Sequence, residues 1–125
     1  MALPPCHMVY QYHVTSDGRL SCLMFQRSCD LLLGAPFNFV GASALMLMLA
    51  QQADLRPGEF VWVGGDVHLY RNHFEQAREQ VSRTPRPFPA MRLTRRAASI
   101  DDYRIEDFEV EGYAPLAAIK ADVAV

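Results

Sequence analysis

The feature that most constrains this chain is an apolar stretch from Phe39 to Ala50 that contains no charged residue. At about 12 residues it falls short of the roughly 20 that a membrane-spanning helix needs, so it reads as a core helix. Leu45, Met46, Leu47, Met48 and Leu49 follow one another, and a helix apolar almost all round is expected to be enclosed on most sides. The rest of the chain must therefore supply a cover. A hydrophobic content of 50% over 125 residues is enough for one compact unit, with no repeat, linker or low-complexity segment to divide it.

Strand signals flank that helix. From His7 to Val14 the residues alternate, with Met8, Tyr10, Tyr12 and Val14 on one face, which is the strand period. Ser16-Asp17-Gly18 supplies turn chemistry before a second apolar run, Leu20 to Phe25, and the two runs predict a β-hairpin. The polar cluster Gln26 to Asp30 is expected to break the pattern, Gly34-Ala35-Pro36 to interrupt again, and the helix to begin near Asn38. Beyond it, Pro57-Gly58 reads as a turn, Glu59 to Val63 as a short strand, and Gly64-Gly65-Asp66 as a second turn. Asp66 then serves as N-cap of a polar helix from about His68 to Arg83. Prolines 85, 87 and 89 force an extended connection, followed by strands over Met91 to Thr94 and Tyr103 to Val110. The expected fold is α/β of the α+β type, a mixed β-sheet packed against a long buried helix.

Charge excludes several functions. A net charge of −2 and a pI near 6.0 give no basic field for DNA or an anionic membrane surface. Three cysteines, Cys6, Cys22 and Cys29, form neither a disulfide framework nor a zinc pattern, which favours a cytoplasmic, reducing location and no metal. The opening Met1-Ala2-Leu3-Pro4-Pro5 carries no signal-peptide pattern. Walker, dinucleotide-binding and Ser-His-Asp motifs are all missing, and His68 and His73 lack the spacing of a helical zinc pair.

Candidate chemistry lies at a few points. Cys6 stands in Pro4-Pro5-Cys6-His7 ahead of a strand, and a cysteine becomes nucleophilic when positive charge, here His7 or Arg27, favours its thiolate. Inert packing is the competing reading. Arg27-Ser28-Cys29-Asp30 suits a phosphate-bearing ligand, held by a bidentate guanidinium and a hydroxyl, and equally suits a surface ion pair. Asn38 either caps the helix or reads an amide-like base edge. His68 and Tyr70, after a diglycine, offer polar hydrogens to a sugar hydroxyl.

Taken in order, Leu-Pro-Pro-Cys-His at 3–7, Gln-Arg-Ser-Cys-Asp at 26–30 and Gly-Ala-Pro-Phe-Asn at 34–38 resemble the C-terminal half of thymidylate synthase. Ala-Gln-Gln at 50–52, Gly-Gly-Asp-Val-His-Leu-Tyr at 64–70 and Tyr-Arg-Ile-Glu-Asp-Phe at 103–108 continue the resemblance across essentially the whole chain. It implies that residues 1–125 form the C-terminal half of a thymidylate synthase domain, a partial fold lacking its N-terminal half. The implied reaction is reductive methylation of dUMP to dTMP by 5,10-methylenetetrahydrofolate, giving dihydrofolate.

By the same resemblance Cys6 attacks ring carbon 6 of dUMP, while Arg27 and Ser28 hold the phosphate. The backbone around Cys29 and Asp30 contacts the pyrimidine, and Asn38 pairs with ring nitrogen 3 and the carbonyl at carbon 4. His68, Leu69 and Tyr70 form the segment that holds the ribose. Asp30 and Ala124 contact the folate, with the carboxylate of Val125 closing over it, and His7 supports the cysteine. The expected partners are dUMP, a reduced folate, a second copy in a homodimer and a missing N-terminal half. The isolated chain is expected to be inactive.

Two stretches depart from the family pattern. After Asn38 the usual Ile-Ala-Ser-Tyr is Phe39-Val40-Gly41-Ala42, and the usual Lys-Ala-Pro near the end is Lys120-Ala121-Asp122. They leave open a dUMP/dCMP hydroxymethylase on the same scaffold, which the asparagine at 38 argues against. A non-catalytic dimerising remnant is the alternative from a different class.

Overall fold

The computed structural model describes residues 4–124. Strands β1 (His7–Val14) and β2 (Arg19–Asp30) form the expected hairpin. Gly18 closes its turn at φ +77°, a conformation that costs glycine nothing. Helix α1 (Gly34–Gln52) then crosses to β3 (Arg56–His68), which pairs with β2 in parallel, so the sheet is mixed with order β1-β2-β3. A short helix, α2 (Phe74–Ser82), follows one turn of 3-10 helix. The chain ends on a small antiparallel pair, β4 (Ala90–Leu93) with β5 (Phe108–Glu111), and a tail without regular structure.

The core lies between α1 and one sheet face. Leu20 and Cys22 of β2 meet Met46 and Ala50 of α1, with Tyr10, Tyr12, Leu49, Leu55 and Phe60 packed around them. Phe39 anchors the other end of the helix, edge-to-face with Phe60 at 6.1 Å and with Trp62 at 5.3 Å. Side chains alternate across a strand, so Val61 and Val63 point away from α1, where they are exposed.

Several boundaries differ from those read in the sequence. The polar cluster Gln26–Asp30 does not break β2; it is the end of that strand. Gly64-Gly65-Asp66 is likewise not a turn but part of β3, so Asp66 caps no helix and the polar helix starts at Phe74. A Cβ on Gly65 would sit 3.0 Å from the Arg27 carbonyl oxygen, so the diglycine serves close strand approach rather than chain reversal. Residues 100–107 form two 3-10 turns, leaving only Phe108–Glu111 as strand. Asp107 holds this region by accepting from the Arg104 amide at 2.8 Å and from Arg95 Nε at 2.6 Å.

The helix is also less enclosed than its composition implies. It spans 19 residues and has the length and mean hydropathy of a membrane-crossing segment, yet it lies along the sheet. Within this chain only Ala35, Ala42, Met46 and Ala50 are fully buried, while Phe37 is 80% and Val40 61% exposed. The expectation of a helix buried on most sides is therefore met on one face alone, because a three-stranded sheet cannot wrap it. Gly41 faces open space.

Candidate functional site

Parallel pairing of β2 with β3 is what assembles the candidate residues. Its register sets Gln26 opposite Gly64, Ser28 opposite Asp66, Cys29 opposite Val67 and Asp30 opposite His68. Motifs separated by about forty positions thus finish at the same sheet end, and the Leu31 amide donates to the His68 carbonyl at 2.9 Å. In parallel sheets with a crossing helix, ligand sites favour that carboxyl end.

Cys6 joins the same end from just ahead of the neighbouring strand β1. The Arg27 amide donates to the Cys6 carbonyl at 2.9 Å, and the Arg27 guanidinium donates to the carbonyls of Pro4 at 2.8 Å and Pro5 at 3.3 Å. Arginine thereby holds the diproline that leads into the cysteine. The three thiols differ. Cys22 and Cys29 are each 1% exposed, whereas Cys6 is half-buried. Burial pushes the Cys29 thiol up, with the charge of Asp30 adding to it, and burial also raises Cys22. A thiol held protonated and out of reach is a poor nucleophile. Of the three, Cys6 alone is not buried.

Asp30 closes strand β2 and starts the turn into α1. Its Oδ1 accepts from the amides of Leu32 at 3.1 Å and Leu33 at 3.3 Å. These bonds shape the turn ahead of α1, which itself begins without a side-chain cap, so the capping role open to Asn38 is not realised. Asn38 lies inside the helix and points to the sheet, where its Oδ1 accepts from Gln26 Nε2 at 2.9 Å. Gln26 is 1% exposed, donates also to the Ser28 carbonyl at 3.0 Å, and accepts from Trp62 Nε1 at 3.1 Å. Gln26 and Trp62 went unassigned in the sequence reading. The signal for Gln26 was an amide at an inward position of a strand, where only a bonded polar group is tolerated.

His68 and Tyr70 stack edge-to-face with ring centroids 5.0 Å apart, and Tyr70 stands 5.9 Å from His73 in the same manner. They lie at the end of β3 and in the loop after it, not on a helix, and Leu69 between them is half-buried. His68 Nδ1 approaches Asp66 at 3.6 Å. His7 packs against Tyr10 at 5.8 Å. The tail is strapped back by His73, which is fully buried and whose Nε2 lies 2.7 Å from the Asp122 carbonyl. Ala124 is half-buried at the tail's end, and Val125, expected to close over the folate, lies outside the described residues.

These features define an α+β domain with a half-buried cysteine, a guanidinium, a buried amide network and a His–Tyr pair gathered at one sheet end. Comparison with known proteins gives the family. The thymidylate synthase family model matches residues 1–125. Relatives named thymidylate synthase are 78% identical in Rhodopseudomonas palustris strain BisA53 and in Cereibacter sphaeroides strain ATCC 17025, and 64% identical in Zymomonas mobilis. Each match covers all of this chain and 42% of the relative. The chain belongs to the thymidylate synthase family, a family of methyltransferases, and spans about two fifths of the length of those relatives.

Proposed function

We propose that this chain is the C-terminal half of a thymidylate synthase that, completed by the rest of the protein, converts dUMP to dTMP with 5,10-methylenetetrahydrofolate. The observation that carries this reading is the convergence on the end of β2 of Cys6, bonded to Arg27, of Asn38, bonded to Gln26, and of His68, paired with Asp30. In this reading the Cys6 thiolate adds to carbon 6 of the pyrimidine, which places an electron pair at carbon 5 and negative charge on the carbonyl at carbon 4. An amide N–H of Asn38 stabilises that charge, since a donor aimed at developing charge lowers the barrier. Arg27 exchanges the Pro4 and Pro5 carbonyls for the phosphate, joined by Ser28. His68 and Tyr70 position the ribose. When bound, the folate would supply the one-carbon unit and the hydride; loss of the carbon 5 proton frees the electron pair that releases the carrier, and hydride delivery to the one-carbon unit then returns an electron pair to the ring that expels Cys6 as a thiolate.

The residues fit the folate as well. Asp30 commits one carboxylate oxygen to Leu32 and Leu33, and its Oδ2 has no partner among the described residues. That oxygen is suited to ring N–H donors of a pterin. Val61 and Val63 form part of an uncovered apolar sheet face, and we assign its cover to a second copy in a homodimer, with the N-terminal half enclosing α1. An enzyme with accessible Cys6 works in a reducing, cytoplasmic setting. The test is tritium release from dUMP labelled at carbon 5. The complete protein releases it and the 125-residue chain does not; release by the chain alone, or none from the complete protein, overturns the proposal.

A further inference from the structure

We infer that Gln26, clamped between Trp62 and Ser28, sets the direction of the Asn38 amide and so decides which pyrimidine edge the site accepts. This rests on the reading just proposed. A primary amide has oxygen and nitrogen of nearly equal size, so an asparagine can face a ligand in either of two ways unless its neighbours choose. Here they choose. The indole N–H of Trp62 can only donate, and it meets Gln26 Oε1 at 3.1 Å. The Ser28 carbonyl can only accept, and it meets Gln26 Nε2 at 3.0 Å.

With both ends of Gln26 fixed, the second hydrogen on Nε2 is directed at Asn38, 2.9 Å away. The Asn38 atom there must be its oxygen. Reversing Asn38 would set NH2 against NH2 beside a residue 1% exposed, where no solvent can compensate. Trp62 is itself confined. A Cβ on Gly64 would lie 2.5 Å from its ring, so only glycine leaves the indole this position, and Phe39 closes on it at 5.3 Å. Residues from β2, β3 and α1 thus act as one device.

The free side of Asn38 consequently presents an acceptor and a donor in one fixed order. Uracil carries N–H and carbonyl at positions 3 and 4, and cytosine carries the reverse. Gln26 is a positioning residue that touches no substrate yet selects between them.

The test uses a complete thymidylate synthase containing this chain. Gln26→Met keeps the length and removes both hydrogen-bonding ends; the kcat/KM ratio for dUMP over dCMP should fall about tenfold or more, the scale of one lost orienting bond. Trp62→Phe, which frees one end of Gln26, should lower the ratio severalfold and serves if Gln26→Met does not fold. General loss of structure lowers both rates and leaves the ratio unmoved. In the ligand-free protein, nitrogen-15 NMR should show the Asn38 side-chain amide resonances shifting in both variants. An unchanged ratio together with unmoved Asn38 resonances overturns the inference. No dUMP turnover by the unsubstituted protein, with the Asn38 shifts still seen, would instead overturn the functional reading and leave the amide clamp standing.

Discussion

The strand pair β2–β3 and the tail after Gly112 hold their residues by opposite means. Along the pair, backbone ladders fix Arg27 to Asp30 and Asp66 to His68, and buried side chains such as Gln26 lock across it. The tail has no ladder. Its carbonyls at Ala114, Ala117, Lys120 and Asp122 accept from Arg86, Arg83, Gln76 and His73 in reverse order, so it runs antiparallel to residues 73–86. A carbonyl is the same in every residue. The hydrogen bonds to the tail thus depend on the donors of α2 and its flanks and not on tail side chains, which is why Asp122 in a departing position still finds its partner. The strand pair is built for placement, and the tail for a grip that can be released, as few buried contacts permit.

Substitutions can break or sharpen that contrast. The largest effect is expected at the strand-pair end: Cys6→Ser in the complete protein should lower dTMP formation on the order of 10⁴-fold or more, as loss of a nucleophile does, with nucleotide binding by calorimetry retained. Next, Asn38→Asp should move preference from dUMP toward dCMP, since a site of paired hydrogen bonds discriminates by up to about 10⁴-fold. Competition assays with both nucleotides read this directly, and unchanged selectivity removes Asn38 from the pyrimidine site.

Gly65→Ala should cost about 1–3 kcal/mol in urea unfolding, the range for overpacking, because the added carbon meets the backbone oxygen of Arg27. A larger tail substitution, Ala117→Val, should change nothing measurable. Replacing the donors Arg83 and His73 by Ala should instead raise hydrogen exchange and protease cleavage across residues 113–124, at about 1 kcal/mol per lost bond, while the sheet stays protected.

The smallest effect concerns pH. The Arg104 amide and then the Arg95 guanidinium hold the Asp107 carboxyl below its usual range. Its stabilisation is therefore complete above the ordinary aspartate range and is lost as pH falls through the lowered folded value. Asp107→Asn should flatten this acid limb of the stability curve, and an unaltered limb would exclude the cause.

Much of the candidate site was proposed residue by residue from the sequence. Cys6, the Arg27–Asp30 segment, Asn38 and the His68–Tyr70 pair each stood out by chemistry, and their shared order pointed to the family. What misled was punctuation. Diglycine and a polar cluster are ordinary turn signals, but Gly64, Gly65 and Gln26 to Asp30 are strand here, because parallel pairing satisfies their backbone and close approach requires the glycines. Gln26 and Trp62 escaped notice because a hydrogen-bond clamp has no local pattern.

The amino-acid order by itself determined the hairpin, the apolar helix and the inventory of reactive groups, all of which rest on neighbours within a few residues. Only the tertiary structure decided that β2 and β3 run parallel in a register that brings Asp30 to His68. It alone decided that Asn38 faces Gln26 and that the tail lies along α2. The physical reason is that direction, register and amide orientation are set between segments distant in sequence, where burial and hydrogen-bond satisfaction select one arrangement among many that local propensity permits.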